Sequence, residues 1–439
     1  MEAFKIKNGL SAKRYLGSTT TLSGSTIDLS LGSMFSTTLS SDPAYAFTNP
    51  PASGNAQAFS VEVTGGTTNF VNDSFATTLF TGTGSAETVN NGLDLAGDGG
   101  LVWLKARSTS GYNHTLYDTE RSGTLFSDST NAASDYASEI ASYNNNGFTT
   151  VSSGAAYNNV SGVDYVSWTF KKQTKFFDIV TWTGTGGSRA INHNLGSVPG
   201  MIIVKWYNVS TDNWAVYHRG LNGGTDPEDY GIYLNLTNAA INESGFWNDT
   251  APTSTQFTVG GSLNSGFGGG GQYIAYLFAH DTASDSRIQC GSYTEASSGD
   301  QEISIGWAPQ WVMIKAASTT SGWFLFDTVR GMSSSGSKRL AANTSGNEIT
   351  QSGYFQPTAT GFLARLAGSG YFGAGTEVVY MAIRGDAATD SAITWPSSVK
   401  WPSGVAPTTP APGTKDLFTF LTTDGGTTYF GKKAAEGLA

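Results

Sequence analysis

Hydrophobic and polar positions along the chain alternate with the two-residue period of β-strands, in short runs broken by Gly, Ser, Thr and Asn. Near the N-terminus, Ser25-Thr26-Ile27-Asp28-Leu29-Ser30-Leu31 alternates strictly, and Phe59, Val61 and Val63 alternate with Ser60, Glu62 and Thr64. Three runs depart from alternation. Leu101-Val102-Trp103-Leu104-Lys105, Met201-Ile202-Ile203-Val204-Lys205 and Trp311-Val312-Met313-Ile314-Lys315 are continuously apolar up to a terminal Lys. Successive strand side chains point to opposite faces, so such a run predicts a strand buried on both. Each run leads through a Ser/Thr/Asn/Gly-rich connection into a second strand. The second strands are Leu116-Tyr117-Asp118 with Arg121 after them, Trp214-Ala215-Val216-Tyr217-His218, and Trp323-Phe324-Leu325-Phe326-Asp327 with Arg330 after them. This is hairpin composition.

The three hairpins are copies of one another. Their Lys positions lie 100 and 110 residues apart, and from Lys to the Asp/His column is 13, 13 and 12 residues. Self-similarity at a near-fixed period marks internal repeats. Each copy opens on an aromatic-Thr strand (Phe80-Thr81, Trp182-Thr183, Tyr293-Thr294) and closes on an apolar strand (Tyr165–Phe170, Tyr273–Phe278, Val378–Ile383). We therefore expect three β repeats, residues 66–175, 176–285 and 286–385, each an antiparallel sandwich of jelly-roll-like character. A few helical turns are expected around Ser134–Ser142 in the first.

The two ends of the chain carry strands too few to close separate cores. The C-terminal end holds Ile393-Thr394-Trp395-Pro396, Val399-Lys400-Trp401-Pro402, and two strands flanking Asp424-Gly425-Gly426, a hairpin signature. With Asn49-Pro50-Pro51-Ala52-Ser53-Gly54 near the other end, these strings resemble a small β-domain of bacteriophage fibre and other virion proteins. The resemblance implies one discontinuous terminal domain, residues 1–65 plus 386–439, with the repeats inserted in its middle; long surface insertions cost little extra closure entropy. The strings Gly100-Leu101-Val102-Trp103-Leu104-Lys105 and Leu325-Phe326-Asp327-Thr328 with Arg330-Gly331 resemble repeats in tail and capsid-surface proteins of marine bacteriophages. They imply a setting, the virion surface, rather than a reaction.

Composition narrows the function classes. Only 13% of residues are charged, the net charge is −10, and Lys and Arg do not cluster, which argues against nucleic-acid binding. Cys290 is the single cysteine, so no intrachain disulfide forms. The N-terminal residues lack the apolar core of a signal peptide, and no run approaches the roughly 18 apolar residues of a membrane span. Synthesis in a host cytoplasm, without membrane insertion, is the expectation.

Candidate chemistry is sparse. Asp118 with Arg121 and Asp327 with Arg330 read as ion pairs that fix the turn after a buried strand. His114, Trp214 and Trp323 form a column after the hairpin loop; exposed aromatic rings there would be speculative sugar contacts. The four His show no metal-ligand spacing. The acidic loops Asp226–Asp229 and Asp281–Asp285 fit no defined calcium motif, which leaves Ca²⁺ a weak candidate and no other cofactor. Gly426 to Lys433 nearly spells a phosphate loop but sits inside a hairpin. No catalytic residues emerge. The expectation is a non-enzymatic structural component of a tailed-phage virion, a tail fibre or capsid decoration presenting β-domains for host attachment. It would contact other virion proteins, assemble as a homo-oligomer such as a trimer, and meet a host surface glycan. The alternatives are a lectin-like adsorption module and, after it, a polysaccharide depolymerase.

Overall fold

A computed structural model describes residues 20–22, 26–38, 45–64, 73–134, 140–152, 158–263, 270–283, 286–332, 336–351, 355–364, 372–385, 393, 395–407 and 415–438. The chain divides into two compact units, Met1–Asn69 with Ala387–Ala439, and Phe70–Asp386. Both are built almost wholly of strands, and the longest helical segments among the described residues span four residues. No helix there is long and apolar enough to cross a membrane.

The first unit joins the two chain ends through their strands. Gln57–Thr64 pairs antiparallel with Lys415–Thr422 along its whole length. The register places Phe59 opposite Phe420 and Val61 opposite Phe418, so both strands turn the same alternate residues inward. The buried cluster mixes Ile27, Phe35, Phe59 and Val61 from one end with Trp395, Phe418, Phe420 and Tyr429 from the other. The turn before Tyr429 places Gly426 in the left-handed region against Pro50, where a Cβ would fall 2.5 Å from the proline ring. This unit is not purely antiparallel. Met34–Thr38 pairs parallel with Gln57–Thr64, and Thr26–Asp28 parallel with Ala46–Thr48 in a separate two-stranded sheet. The chain alternates between those two sheets, so consecutive strands within each run the same way.

The second unit contains the three hairpins in equivalent sheets. Gly100–Ala106 lies between Thr115–Asp118 and Asp164–Lys171, with Phe75–Thr81 outside. Pro199–Trp206 lies between Ala215–His218 and Gln272–Ala279, with Phe177–Thr183 outside. Pro309–Ala316 lies between Trp323–Asp327 and Glu377–Arg384, with Ile288–Thr294 outside. A small second sheet covers one face of each. The Lys strand is thus central in every copy, and both of its faces are buried. Val102 and Leu104 pack with Val89 and Phe148 of the small sheet and with Leu93 in the loop beside it. Leu101 and Trp103 turn the other way, into a cluster shared with Phe278 and Trp311 of the other copies. The continuous apolar run has this cause: one face meets its own sandwich, the other meets the neighbouring repeats.

The helical turns expected around Ser134–Ser142 fall largely on residues 135–139, which lie outside the described residues. Ser134 bridges to Thr124, and Ile140–Asn144 is a strand paired with Gly147–Thr150. Ile140 is buried with Phe148 in the small-sheet core.

Candidate functional site

The polar columns that recur in the sequence converge on the junctions between repeats. At the junction of the first and second copies, Asp118 Oδ1 accepts from the main-chain N–H groups of Glu120 and Arg121, both at 3.1 Å. Its Oδ2 accepts from the hydroxyl of Tyr276 on the second copy at 2.9 Å and lies 3.0 Å from Arg121 Nη2. The Arg121 guanidinium sits 5.5 Å above the ring of Tyr207, again from the second copy. Burial pushes the Asp118 carboxyl above its usual range, against the opposing pull of Arg121 and the Tyr276 hydroxyl.

The junction of the third and first copies repeats this plan. Asp327 Oδ1 accepts from the Arg330 main-chain N–H at 2.8 Å, and Oδ2 accepts from Trp168 Nε1 of the first copy at 2.9 Å. Arg330 Nε pairs with the same Oδ2, and the guanidinium stands 5.1 Å over the Trp168 ring. Glu348 bridges Arg330 to Arg107 of the first copy, gripping Arg107 with both oxygens at 3.0 and 3.1 Å. Each Asp therefore fixes its own turn and reaches across to its neighbour, which is the structural pairing the sequence suggested, with a second role added.

The junction of the second and third copies uses different chemistry. His218 Nε2 lies 2.9 Å from the Tyr380 carbonyl of the third copy, and the Gly220 N–H donates to Nδ1 at 3.1 Å. A carbonyl can only accept and a main-chain N–H only donate, so the ring is the neutral Nε2–H tautomer. Burial holds His218 down at about 4.

The column proposed for sugar contact is corrected by burial. Trp214, Trp323 and His114 are 0%, 1% and 0% exposed. Trp214 Nε1 donates to the Phe126 carbonyl of the first copy at 2.9 Å, and Trp323 Nε1 to the Tyr233 carbonyl of the second at 2.8 Å. His114 accepts from Trp103 Nε1 at 3.0 Å and stacks on Trp168. The ring faces a sugar would need are covered by protein, because this column shares a sheet face with the Lys column opposite it, and that face is closed by the next repeat.

The Lys column is buried as well. Lys315 Nζ donates to the carbonyls of Thr237 at 3.1 Å and Ser321 at 2.9 Å; Lys105 and Lys205 donate to the carbonyls of Ala106 and Trp206. Desolvation lowers Lys315 to about 7, and Lys105 and Lys205 to about 8. A lysine of that acidity can serve as a nucleophile. Here the three ammonium groups are at most 1% exposed and spent on capping main-chain oxygens. Among the described residues, no group of three or more His, Cys, Asp or Glu is placed to hold a metal ion.

Sequence reasoning missed Trp168 and Tyr276, the donors that answer Asp327 and Asp118. Their signal was an aromatic at the same place in two closing strands, read only as apolar. A family model described as a domain of unknown function (DUF7483) matches residues 71–386. No curated protein and no solved structure matches the chain.

Proposed function

The chain belongs to the family described as a domain of unknown function (DUF7483), whose match covers the second unit, and from that premise we propose that the protein is a structural component of a tailed-bacteriophage virion. It acts by being stiff: a fibre or surface decoration of the tail or capsid that carries its β-repeats toward the host. One observation carries this reading. Asp118, His218 and Asp327 of one recurring column, and Trp214 and Trp323 of another, each hydrogen-bond to a neighbouring repeat. A body held by buried charged pairs and aromatic contacts is suited to passive load rather than turnover. The virion setting comes from the resemblance of the terminal strings and the repeats to phage proteins. Neighbouring virion proteins and a host surface glycan are the proposed contacts, with synthesis in the host cytoplasm.

Gold-labelled antibody against residues 176–281, applied to intact virions, tests it. Label on the tail, its fibres or the head is expected. Particles that carry no label, in a preparation whose lysate contains the protein, would refute the structural reading.

A further inference from the structure

The three junctions are built on the same positions but not from the same residues. Asp118, His218 and Asp327 occupy one column, and three residues later stand Arg121, Leu221 and Arg330. Across each junction, the facing position on the closing strand is set by register. Trp168 lies opposite Trp103, Tyr276 opposite Ile203 and Met381 opposite Met313, and these three partners each stand two residues before their Lys. The three positions change together. Where the column holds Asp, the third residue is Arg and the neighbour supplies an N–H or O–H: Tyr276 for Asp118, Trp168 for Asp327. Where the column holds His, the third residue is Leu and the neighbour supplies Met381, which has no donor; the main-chain carbonyl of Tyr380 accepts from the His instead.

Each set is closed on itself. A buried carboxylate needs a cation and a donor, and loses stability without either. A neutral Nε2–H imidazole needs an acceptor, and a buried Arg beside it would have no counter-charge. Combining half of one set with half of the other leaves an unpaired group in the core.

We propose that these triplets are a matching code between repeats: Asp-Arg facing a donor, or His-Leu facing a carbonyl beside Met. The code fixes which face of one repeat seats on which neighbour. It makes the second-to-third junction chemically distinct from the other two, so the ring closes in one order within the chain and a repeat from another copy is rejected at a mismatched face.

Full-length variants test it by thermal unfolding. His218→Asp alone lowers the melting temperature by about 5 °C or more, because the new carboxylate faces the Tyr380 carbonyl. His218→Asp with Leu221→Arg and Met381→Tyr recovers roughly half of that loss or more, and the same triple with Met381→Phe recovers clearly less. If the single variant does not fold, a soluble, cooperatively melting Tyr triple is the supporting result. Losses that add without recovery, a Phe triple as stable as the Tyr triple, or a Tyr triple that fails to fold would overturn the code. The reverse transplant, D118H/R121L/Y276M, is expected to melt above D118H alone; a lower value would count against it equally.

Discussion

Asp118 and Asp327 each accept from the turn behind them and from an aromatic donor in front, so a single carboxylate sets both a local turn and a contact between repeats. Burial lowers the three lysines of the Lys column, and that has a consequence for pH. Lys315 at about 7, and Lys105 and Lys205 at about 8, lie below the ordinary lysine value of roughly 10.4. Between the folded and unfolded values the unfolded chain binds more protons. Stability therefore rises with pH from about 7 toward 10, by at most about 1.4 kcal/mol per pH unit for each lysine. Above about 10 the sign reverses, since burial raises Tyr276, Tyr217 and Tyr380 and the unfolded chain then loses protons first. On the acid side His218, at about 4, loses stability as pH falls from roughly 6.5, while Asp128, raised to about 7, gains it. Those two oppose; on the alkaline side burial also raises the Cys290 thiol, which opposes the lysines from about pH 8.5 upward, so the clean window lies below that. Urea midpoints measured from about pH 7 to 8.5 should climb, and Lys315→Met should flatten the climb even though it lowers every midpoint. A flat profile in the parent chain would show that the lysines titrate normally.

At the scale of elements, the second-to-third junction is closely packed at Gly220. Gly220 has an ordinary right-handed backbone, φ −91, so its glycine answers to space and not to conformation. A Cβ there would lie 2.9 Å from Ser292 Cβ and 3.0 Å from the Gly291 main chain, both on the strand Ile288–Thr294 of the third repeat. Gly220→Ala should cost about 1–3 kcal/mol by overpacking the contact of this turn with the strand, and urea unfolding checks it; a change below about 0.5 kcal/mol would mean the turn and the strand move apart freely. The strands themselves were legible in the sequence. An apolar run ending in Lys, a polar connection and an aromatic second strand specify a hairpin by local pattern alone, and the three copies repeat it. The all-β character follows from the same signals. What local pattern does not carry is the neighbour. Period two places Trp214 and Trp323 on the same face of their own sheets as the Lys opposite each; it does not say whether water or another repeat covers that face. The same gap hid Trp168 and Tyr276, whose polar tips matter only because a carboxylate from another repeat meets them. Parallel pairing in the first unit was likewise unreadable, since strand direction depends on which sheet the chain visits next.

At the scale of the whole molecule, each of the two units brings together segments distant in sequence. Within the second unit, the two ends of the insertion are held by one residue. Arg287 binds Asp73 through its guanidinium at 3.1 Å and receives the Arg384 main-chain N–H on its own carbonyl at 2.9 Å. Residues 73 and 384 are therefore both tied to Arg287 within the second unit. The first unit needs both chain ends for a different reason. Its core takes Phe59, Val61 and Val63 from one segment and Trp395, Phe418 and Phe420 from the other, and the pairing of Gln57–Thr64 with Lys415–Thr422 joins them through the middle of the sheet. Residues 1–65 alone would expose that strand's edge and half an aromatic cluster, too little buried surface to offset chain entropy. They should be unfolded by circular dichroism. A chain of residues 1–65 joined to 386–439 by a short Gly/Ser linker restores both halves of the cluster, and should give a β-type spectrum with one cooperative melt. If the joined chain stays unfolded, the first unit draws its stability from the insertion rather than from its own core, and the terminal segments are then better regarded as an extension of the repeats than as a host for them.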